Sequence, residues 1–406
     1  MAASRRVSLV LVGIGGMGAC YLEEILPKMK EGRFKLQGVV DPFPRHSAHL
    51  VELESLGIPM YETLEKFYAE RKADLAVIAS PIHRHCPQTL LALSKGSHVL
   101  CEKPVAAVIQ DAEGMRQASI DSGRFAAVGY QWSFSSTIQE VKADILSGVY
   151  GRAKRLRCLY LWPRDEAYYR RNNWAGRIRD DEGNWILDSP ANNAMAHDLH
   201  NMLYILGDAV DRSARPVRVK AELYRAYPIQ NYDTAAARII LESGAEVLIY
   251  FSHASVADIG PVFSYEFEKG EIMGSGRDGT LKGLFQDGQV KDYGSANEEP
   301  FKKFWDCLDA VRYQTPLPCG VEAAASQTLC INGFQESAPA IVDFPRLIVH
   351  RENDGGTRQL SVKGLEETFV QCYQEGLLPS EHGVGWARPG EDVSLEEYQK
   401  YPAGKP

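Results

Sequence analysis

The feature that most constrains the fold is a glycine-rich segment, Gly13–Gly18, which reads Gly-Ile-Gly-Gly-Met-Gly. It follows an apolar run, Val7–Val12, and precedes a segment with a helical pattern. Glycines at its first, third and sixth positions allow a tight turn, a close approach to the backbone, and close packing of helix on strand. The chain is therefore predicted to begin with a strand, a turn and a helix.

Short apolar runs alternate with helical patterns over the first 130 residues. Apolar runs without strict alternation fit strands buried on both faces. Strand–helix alternation at this spacing predicts a parallel sheet. The strands are predicted at Val7–Val12, Leu36–Val40, Leu75–Ser80, His98–Cys101 and Phe125–Tyr130, and helices at Ala48–Leu56, Pro87–Lys95 and Asp111–Ser122.

Asp41 stands at the end of the second predicted strand, 23 residues after Gly18. N–H groups at a helix start bind a pyrophosphate, and an acid at this place accepts ribose hydroxyls and repels a 2′-phosphate. The sequence thus predicts NAD as cofactor, with NADP as the alternative because Arg45 is close. A purely structural turn, with Asp41 as a helix cap, explains this ordered combination less well. The predicted cofactor contacts are Gly13, Ile14, Gly15, Met17, Gly18 and Asp41.

Composition excludes several classes of protein. The 45 basic and 53 acidic side chains give a net charge of −8, and no dense basic block is present, so nucleic acid is not a predicted partner. No apolar stretch reaches the roughly 18–20 residues that span a bilayer, and Val7–Val12 ends too early for a signal peptide. The eight cysteines are scattered without a Cys-x-x-Cys pair. We therefore predict a cytoplasmic protein with reduced thiols and no membrane contact.

The second half of the chain has a different pattern. Val217–Tyr224, Ala235–Leu241 and Val247–His253 are strand candidates separated by turns, which predicts an antiparallel sheet. Helical patterns return at Phe301–Arg312 and Glu322–Ser337. The predicted class is α/β, with an N-terminal doubly wound parallel sheet and a C-terminal α+β domain with an open, mostly antiparallel sheet. The predicted domains are residues 1–130, residues 131–338, whose final helices either stay there or pack back on the first domain, and residues 339–406, a surface extension.

The segment Ala73–Asp111 contains Glu102-Lys103-Pro104 and resembles the Gfo/Idh/MocA family, named for glucose-fructose oxidoreductase, inositol dehydrogenase and a rhizopine-catabolism protein. Together with the glycine-rich start, Gly148–Gly151 and a His-x-x-His helix, the resemblance runs from about Val7 to Ser337. It implies a Rossmann domain, and a second domain whose open sheet joins a homodimer or homotetramer. It also implies a cofactor bordered by Ser80, Pro81, His85, Glu102 and Lys103.

A helix is predicted between Ser189, a suitable N-cap, and Gly207, a suitable stop. On it, Asn193, His197 and His200 lie at i, i+4 and i+7 and share one face. The resemblance implies that His197 is the catalytic histidine and that Asn193 replaces a frequent aspartate. Both histidines could instead be satisfied core residues.

Two histidines three residues apart, with Asp198 beside them, also fit a metal site. No third potential ligand lies at a spacing typical of a metal site, so no metal is predicted.

Lys103 follows a predicted parallel strand and projects into the crevice where ligands bind such sheets. Burial and a cationic nicotinamide are expected to lower its pKa. Gln131 follows the last predicted strand, where the family places active-site residues. Arg164 and Tyr168 lie in a polar, aromatic-rich stretch that suits sugar rings, or equally a domain or subunit contact.

The predicted function is NAD-dependent oxidation or reduction of a small carbohydrate: a sugar, a sugar derivative or a cyclic polyol. His197 takes the hydroxyl proton as a general base, and Lys103 stabilises the oxygen. Gln131, Arg164, Tyr168, Asn193 and His200 are predicted to contact the substrate. One alternative is an NAD-dependent glycosidase that uses transient oxidation and elimination. Another is a non-catalytic NAD(P)-binding regulator.

Overall fold

The computed structural model describes residues 6–354 and 357–403. Residues 1–5, part of the segment read for a signal peptide, and 355, 356 and 404–406 of the predicted extension lie outside the described residues. The strands are β1 (Val7–Val12), β2 (Phe34–Val40), β3 (Met60–Tyr61), β4 (Leu75–Ile78), β5 (His98–Cys101), β6 (Ala126–Val128), β7 (Ala153–Leu161), β8 (Pro216–Arg225), β9 (Thr234–Leu241), β10 (Glu246–Ser252), β11 (Ile259–Phe267), β12 (Gly270–Ser275), β13 (Thr280–Phe285), β14 (Val290–Ser295), β15 (Val342–Asp343), β16 (Val349–Asp354), β17 (Thr357–Val362) and β18 (Val393–Ser394). The α-helices are α1 (Met17–Ile25), α2 (Leu50–Ser55), α3 (Leu64–Glu70), α4 (Ile82–Ser94), α5 (Ile109–Ser122), α6 (Gln131–Phe134), α7 (Ser136–Leu146), α8 (Glu166–Arg170), α9 (Ala196–Ile205), α10 (Lys302–Tyr313), α11 (Val321–Ser337) and α12 (Leu365–Glu375).

The chain forms two compact units that differ from the predicted domains 1–130, 131–338 and 339–406. Residues 300–325, which include α10, group with the first unit, and the described part of 339–406 groups with the second. Within the described residues, the first unit is made of 6–106, 110–134 and 300–325, and the second of 107–109, 135–299, 326–354 and 357–403.

The first unit contains a parallel sheet in the order β3-β2-β1-β4-β5-β6. Its central strands are almost continuously buried, as the unbroken apolar runs predicted. From β1, the strands β2 and β3 are added on one side of the sheet and β4, β5 and β6 on the other. The glycine-rich segment follows β1, at the point where these two halves meet. The predicted doubly wound parallel sheet is confirmed, and this is where such sheets bind ligands.

The second unit contains a sheet in the order β14-β13-β12-β11-β7-β10-β9-β8-β15, with β18 also paired to β8. Most neighbouring strands are antiparallel, while β7 pairs in parallel with β10 and β15 with β8. The predicted second domain with a mostly antiparallel sheet is therefore confirmed. Alternation along β7 turns Cys158 towards α9, near Asp198, and Leu159 to the opposite face.

The C-terminal residues cover that opposite face. Leu365, Phe369 and Cys372 recur at helical spacing on α12 and are buried in one core with Leu159 and Tyr250 of the sheet. Residues 339–406 were expected to be a surface extension, but their described part supplies core side chains to the second unit. Because α12 is amphipathic, it is stable only when its apolar face is packed.

Candidate active-site residues in the two units

The glycine-rich segment of the first unit has the shape of a ligand cradle. Gly13 has a φ of 82°, and a Cβ there would lie 2.6 Å from the carbonyl oxygen of Ala79. A Cβ on Gly18 would lie 2.0 Å from the carbonyl oxygen of Gly13. At Gly15 a Cβ would meet no atom within 4 Å, so the backbone there faces open space. Two glycines therefore permit close packing, and the third leaves room for a ligand against the backbone.

Asp41 follows β2 at the same end of the sheet. Its carboxylate accepts hydrogen bonds from the N–H groups of Ile14, at 3.0 Å, and Phe43, at 2.8 Å. These bonds fix the carboxylate beside the glycine-rich segment, while each oxygen keeps a further lone pair. Ile14 is buried and Met17 is half-buried, so the side chains of both residues hold the glycine-rich loop against the first unit.

Ser80, Pro81 and His85 lie after β4, where Pro81 is the N-cap of α4. The Ser80 hydroxyl donates to the Gln88 side chain at 2.6 Å. The buried ring of His85 lies 2.7 Å from the carbonyl oxygen of Pro104 and 2.8 Å from that of Ser80. Burial lowers the pKa of His85, despite these two carbonyls. The ring thus joins the loops after β4 and β5.

Glu102 and Lys303 form a buried ion pair, which the sequence did not reveal. The Lys303 ammonium also donates to the carbonyl of Gly129 at 3.2 Å, and Glu102 accepts the Tyr21 hydroxyl at 2.7 Å. Burial alone would raise the pKa of Glu102, but Lys303, Tyr21 and Lys103 hold it below its usual value. Glu102, predicted to border the cofactor, therefore has its carboxylate engaged inside the first unit.

Lys103 is the next residue, and it is half-buried where the chain leaves β5. Its N–H donates to the Glu102 carboxylate at 3.3 Å, so the ion pair below it fixes the start of this turn. Gln131, also half-buried, begins the short helix α6 after β6. Since the strands are parallel, the ends of β1, β2, β4, β5 and β6 bring all these predicted residues to one edge.

In the second unit, the predicted helix between Ser189 and Gly207 begins later than expected. The structure has turns up to Met195, where Asn193 N–H donates to Ser189 O at 2.9 Å, and α9 begins at Ala196. The prediction that Asn193, His197 and His200 share one helical face is therefore wrong for Asn193. Asn side chains that bond nearby backbone or side-chain groups compete with helix formation.

Asn193 bonds a carboxylate that the sequence did not single out. Its amide donates to Asp188 Oδ1 at 2.8 Å, while Asp188 Oδ2 accepts the Gly176 N–H at 2.6 Å. Asp188 is buried and its backbone carbonyl accepts from Asn231 at 3.0 Å. Although Asn193 replaces the aspartate that the resemblance implies at this position, the carboxylate of Asp188 lies beside it. The only sequence signal was an acid five residues before Asn193.

The two histidines of α9 have different surroundings. His197 is half-buried in the first turn of the helix. His200 is buried and stacks on Tyr204, with ring centroids 5.6 Å apart. Burial, with a smaller effect of Lys142, lowers the pKa of His200 to about 3, so its ring is neutral near pH 7. His200 matches the core-histidine alternative more closely than a substrate contact.

Arg164 and Tyr168 lie just after β7, as parts of an aromatic-rich region. The Arg164 guanidinium lies 3.6 Å from the ring centroid of Trp162 and 4.7 Å from that of Tyr168. Tyr168 lies in α8, and its N–H donates to the side chain of the N-cap residue Asp165 at 2.9 Å. Burial raises the pKa of Tyr168, and the nearby Asp188 raises it further. These two predicted residues therefore lie together, close to Asp188.

Across the described residues, no group of three metal-ligating side chains lies close enough to hold an ion. Within the same part of the chain, no helix has the length and apolar character needed to cross a membrane. All eight cysteines are free thiols.

A family model matches the N-terminal part of the chain. Residues 7–130 match the model of an oxidoreductase family with an NAD-binding Rossmann fold, GFO_IDH_MocA. The matched range forms most of the first unit and is about a third of the chain. The match confirms the predicted family and the predicted NAD-binding domain.

Similarity to curated relatives is restricted to part of the chain. An inositol 2-dehydrogenase of Rubrobacter xylanophilus is 30% identical over 149 residues, which are 36% of this chain and 42% of the relative. The rhizopine catabolism protein MocA of Rhizobium meliloti is 27% identical over 165 residues, 40% of this chain and 48% of the relative. The chain thus spans less than half the length of these relatives.

Solved structures of two dehydrogenases share the fold over a longer range. The WlbA dehydrogenase from Bordetella pertussis, in complex with NADH and UDP-GlcNAcA, has a TM-score of 0.67 at 21% identity and covers 82% of this chain and 97% of that one. A levoglucosan dehydrogenase in complex with NADH has a TM-score of 0.68 at 16% identity, with 82% and 97% covered. At these identities, the likeness shows a common fold.

Proposed function

We propose that the protein is an NAD-dependent oxidoreductase that transfers hydride between nicotinamide and a hydroxyl or keto carbon of a sugar, a sugar derivative or a cyclic polyol. The observation that carries the proposal is the edge of the first sheet, which collects the open backbone at Gly15, the fixed carboxylate of Asp41 and the half-buried Lys103. Named relatives that act on polyols and sugars support the substrate class.

The chain's residues fit the dinucleotide. The N–H groups of the glycine-rich segment and the start of α1 suit a pyrophosphate, and Asp41 suits the ribose hydroxyls. When bound, the dinucleotide accepts or returns a hydride. In an acidic protein, this local arrangement must bind an anionic cofactor without help from the net charge of −8.

Two side chains perform the proton chemistry in this proposal. Lys103 donates a hydrogen bond to the substrate oxygen and stabilises its negative charge as the carbon is oxidised. His197 accepts the hydroxyl proton, since imidazole has the ordinary pKa of a base that works near neutrality. Gln131, Asn193 and Arg164 orient the substrate through hydrogen bonds. In the reverse direction, His197 returns the proton.

Replacing Lys103 tests the mechanism. Lys103→Ala should lower kcat by about 10²- to 10⁴-fold, because the substrate oxygen loses its charged donor. NADH binding, followed by nicotinamide fluorescence, should stay within a few-fold of wild type. Turnover is measured as NADH formation across sugars, inositols, and amino and keto sugars. Lys95→Ala, at an exposed lysine of the same unit, is the control and should keep full activity.

Full activity of Lys103→Ala would contradict the mechanism. Release of an aglycone from glycosides without net NADH would favour the glycosidase, whose redox change is transient. Stoichiometric NAD binding without turnover on the whole panel would favour the regulator.

The oligomer belongs to the same proposal. The second sheet is covered by the C-terminal residues at β7 and β10, so a contact through the sheet uses β12–β14. Met273, Leu284 and Val290 are exposed apolar residues on these strands. Leu284→Glu should reduce a dimer or tetramer to monomers, as measured by light scattering, since a buried unpaired charge opposes association. Val210→Glu, an exposed site elsewhere, should leave the mass unchanged. An unchanged mass in Leu284→Glu would contradict this contact.

A further inference from the structure

Two arginines of the second unit are stacked on aromatic rings just after β7. Arg164 lies between Trp162 and Tyr168, at 3.6 and 4.7 Å from their ring centroids. The Arg171 guanidinium lies 3.6 Å from the ring centroid of Tyr168 and 5.4 Å from that of Trp174. We call these five residues the arginine–aromatic cluster. The rings hold both guanidinium groups in place, with Arg164 half-buried and Arg171 exposed.

Neither arginine of the cluster has an acidic partner in the part of the chain that the structure describes. Other arginines of the region form ion pairs, such as Arg170 with Glu166 at 2.7 Å. Over the described residues, Arg164 and Arg171 make no such pair, and the Arg171 side chain donates to the Tyr168 carbonyl. The Arg164 Nε is buried and has no hydrogen-bond partner. Burial lowers the pKa of Arg164, as expected for a cation without a counter-charge.

An uncompensated, partly buried guanidinium is costly unless something binds it. A structural arginine is normally paired, and an arginine that only packs keeps its charged end in water. Arg164 satisfies neither description, since its Nε is enclosed and its charge has no partner among the described residues. Its remaining N–H groups, with those of Arg171, form two planar donor forks that match an anionic oxygen group.

The cluster lies on the side of the second unit that carries His197. Trp162 stacks on Tyr160, with centroids 5.4 Å apart and planes 3° from parallel. Burial raises the pKa of Tyr160, Asp198 of α9 raises it further, and Arg164 acts in the opposite direction. Tyr160 therefore lies near both α9 and the cluster. Tyr168 is likewise near Asp188, which bonds Asn193 before α9, so the cluster and His197 share one region of this unit.

We propose that the substrate of this protein carries an anionic group, a carboxylate or a phosphate ester, which Arg164 and Arg171 bind. The inference rests on the proposed oxidoreductase function and names the substrate class as acidic sugars or polyols. Bidentate bonds to the guanidinium forks hold the anion, while Trp162 and Tyr168 keep the guanidinium planes in position. The anion supplies the counter-charge that the two arginines lack.

Binding to the full-length protein with saturating NADH tests the proposal without turnover. Calorimetry compares D-glucuronate, D-galacturonate, D-gluconate and D-glucose 6-phosphate with their neutral parents, glucose, galactose and glucitol. At least one anion should bind about 10- to 100-fold more tightly than its parent, since charged hydrogen bonds contribute on that scale. The carboxylate and phosphate arms show which anion is accepted.

Variants show whether the cluster is responsible. Arg164→Gln and Arg171→Gln should each bring the ratio of anion to parent affinity close to one. Arg164→Lys keeps the charge but loses the fork, so its ratio should be intermediate. Arg170→Gln, at an exposed arginine paired with Glu166, is the matched control and should keep the wild-type ratio. Circular dichroism checks that each variant is folded.

Neutral parents that bind as well as the anions would overturn the inference, as would a preference that persists in both glutamine variants. Absence of binding by every anion would also overturn it. NADH fluorescence in the same samples separates the two proposals. A protein that does not bind NADH refutes the oxidoreductase, whereas one that oxidises neutral sugars best refutes only the anionic substrate.

Discussion

At the scale of single residues, we expect Asp41 to select NAD over NADP. Its carboxylate is fixed by the N–H groups of Ile14 and Phe43, so it cannot easily turn away from a 2′-phosphate. Asp41→Asn keeps an oxygen for the Ile14 N–H but removes the charge. We expect the affinity for NADPH relative to NADH to rise by about 10- to 100-fold, because charge repulsion at short range is removed.

Fluorescence titration of NADH and NADPH measures that ratio directly. Glu54→Gln, at an exposed acid on α2, is the control for the change in net charge. A ratio that is the same in Asp41→Asn and wild type would show that Asp41 does not select the cofactor.

Residues near strand ends could be predicted from the sequence, while partners distant in the chain could not. Asp41 directly follows the apolar run that forms β2, and Lys103 lies two residues after the run that forms β5, so both could be found from the sequence. Lys303 is separated from Glu102 by 201 residues, and it lies in an amphipathic helix where a lysine is ordinarily exposed. Only the folded chain shows that Lys303 neutralises Glu102. Asp188 was missed for a similar reason, since a turn brings it to Asn193.

At the scale of elements, strands were predicted more accurately than helix starts. The strands β1 and β5 have the predicted bounds because each is a buried apolar run between polar residues. The helix α4 was predicted to begin at Pro87, a preferred first residue, yet it begins at Ile82 and contains Pro87. Pro81 already supplies an extended N-cap, with φ −61° and ψ 150°. Two prolines that both suit a helix start cannot be ranked by local pattern.

The helix α12 was not predicted, although its apolar spacing is regular. Its flanks are rich in Pro, Gly and charge, which are typical of a surface tail. The structure shows that Phe369 is buried against Tyr250 of the sheet, with ring centroids 5.9 Å apart. The pattern of a short helix does not indicate which surface its apolar face covers, so its role in the core could not be inferred.

Phe369→Ala tests whether α12 stabilises the second unit. Removing this ring should lower the free energy of unfolding by about 3–5 kcal/mol, because a cavity forms between α12 and the sheet. Urea unfolding followed by circular dichroism measures the change. Glu367→Ala, at an exposed position on the same helix, should change stability by less than about 0.5 kcal/mol. Similar losses in the two variants would mean that α12 is not part of the core.

At the scale of the whole molecule, buried titratable groups make stability depend on pH. Burial lowers the pKa of both His200 and His253 to about 3, whereas a histidine in the unfolded chain titrates near 6.5. Between these values the unfolded state binds more protons, so the stability present above about pH 6.5 is lost as the pH falls. Burial raises the pKa of Asp233 to about 6, and its protonation in the folded state opposes this loss below pH 6.

From pH 7 to pH 5, His200 and His253 should each cost about 2 kcal/mol and Asp233 should restore about 1 kcal/mol, a net loss of about 3 kcal/mol from these three groups. His98, whose pKa burial lowers to about 4, adds to this loss. Chemical unfolding at closely spaced pH values measures the slope. His200→Gln removes one titrating ring, so its stability should start lower at pH 8 yet fall less steeply. Ile120→Gln, at an exposed residue that carries no titrating group, should keep the wild-type slope. A slope in His200→Gln equal to that of wild type would mean that His200 is not held neutral in the folded protein.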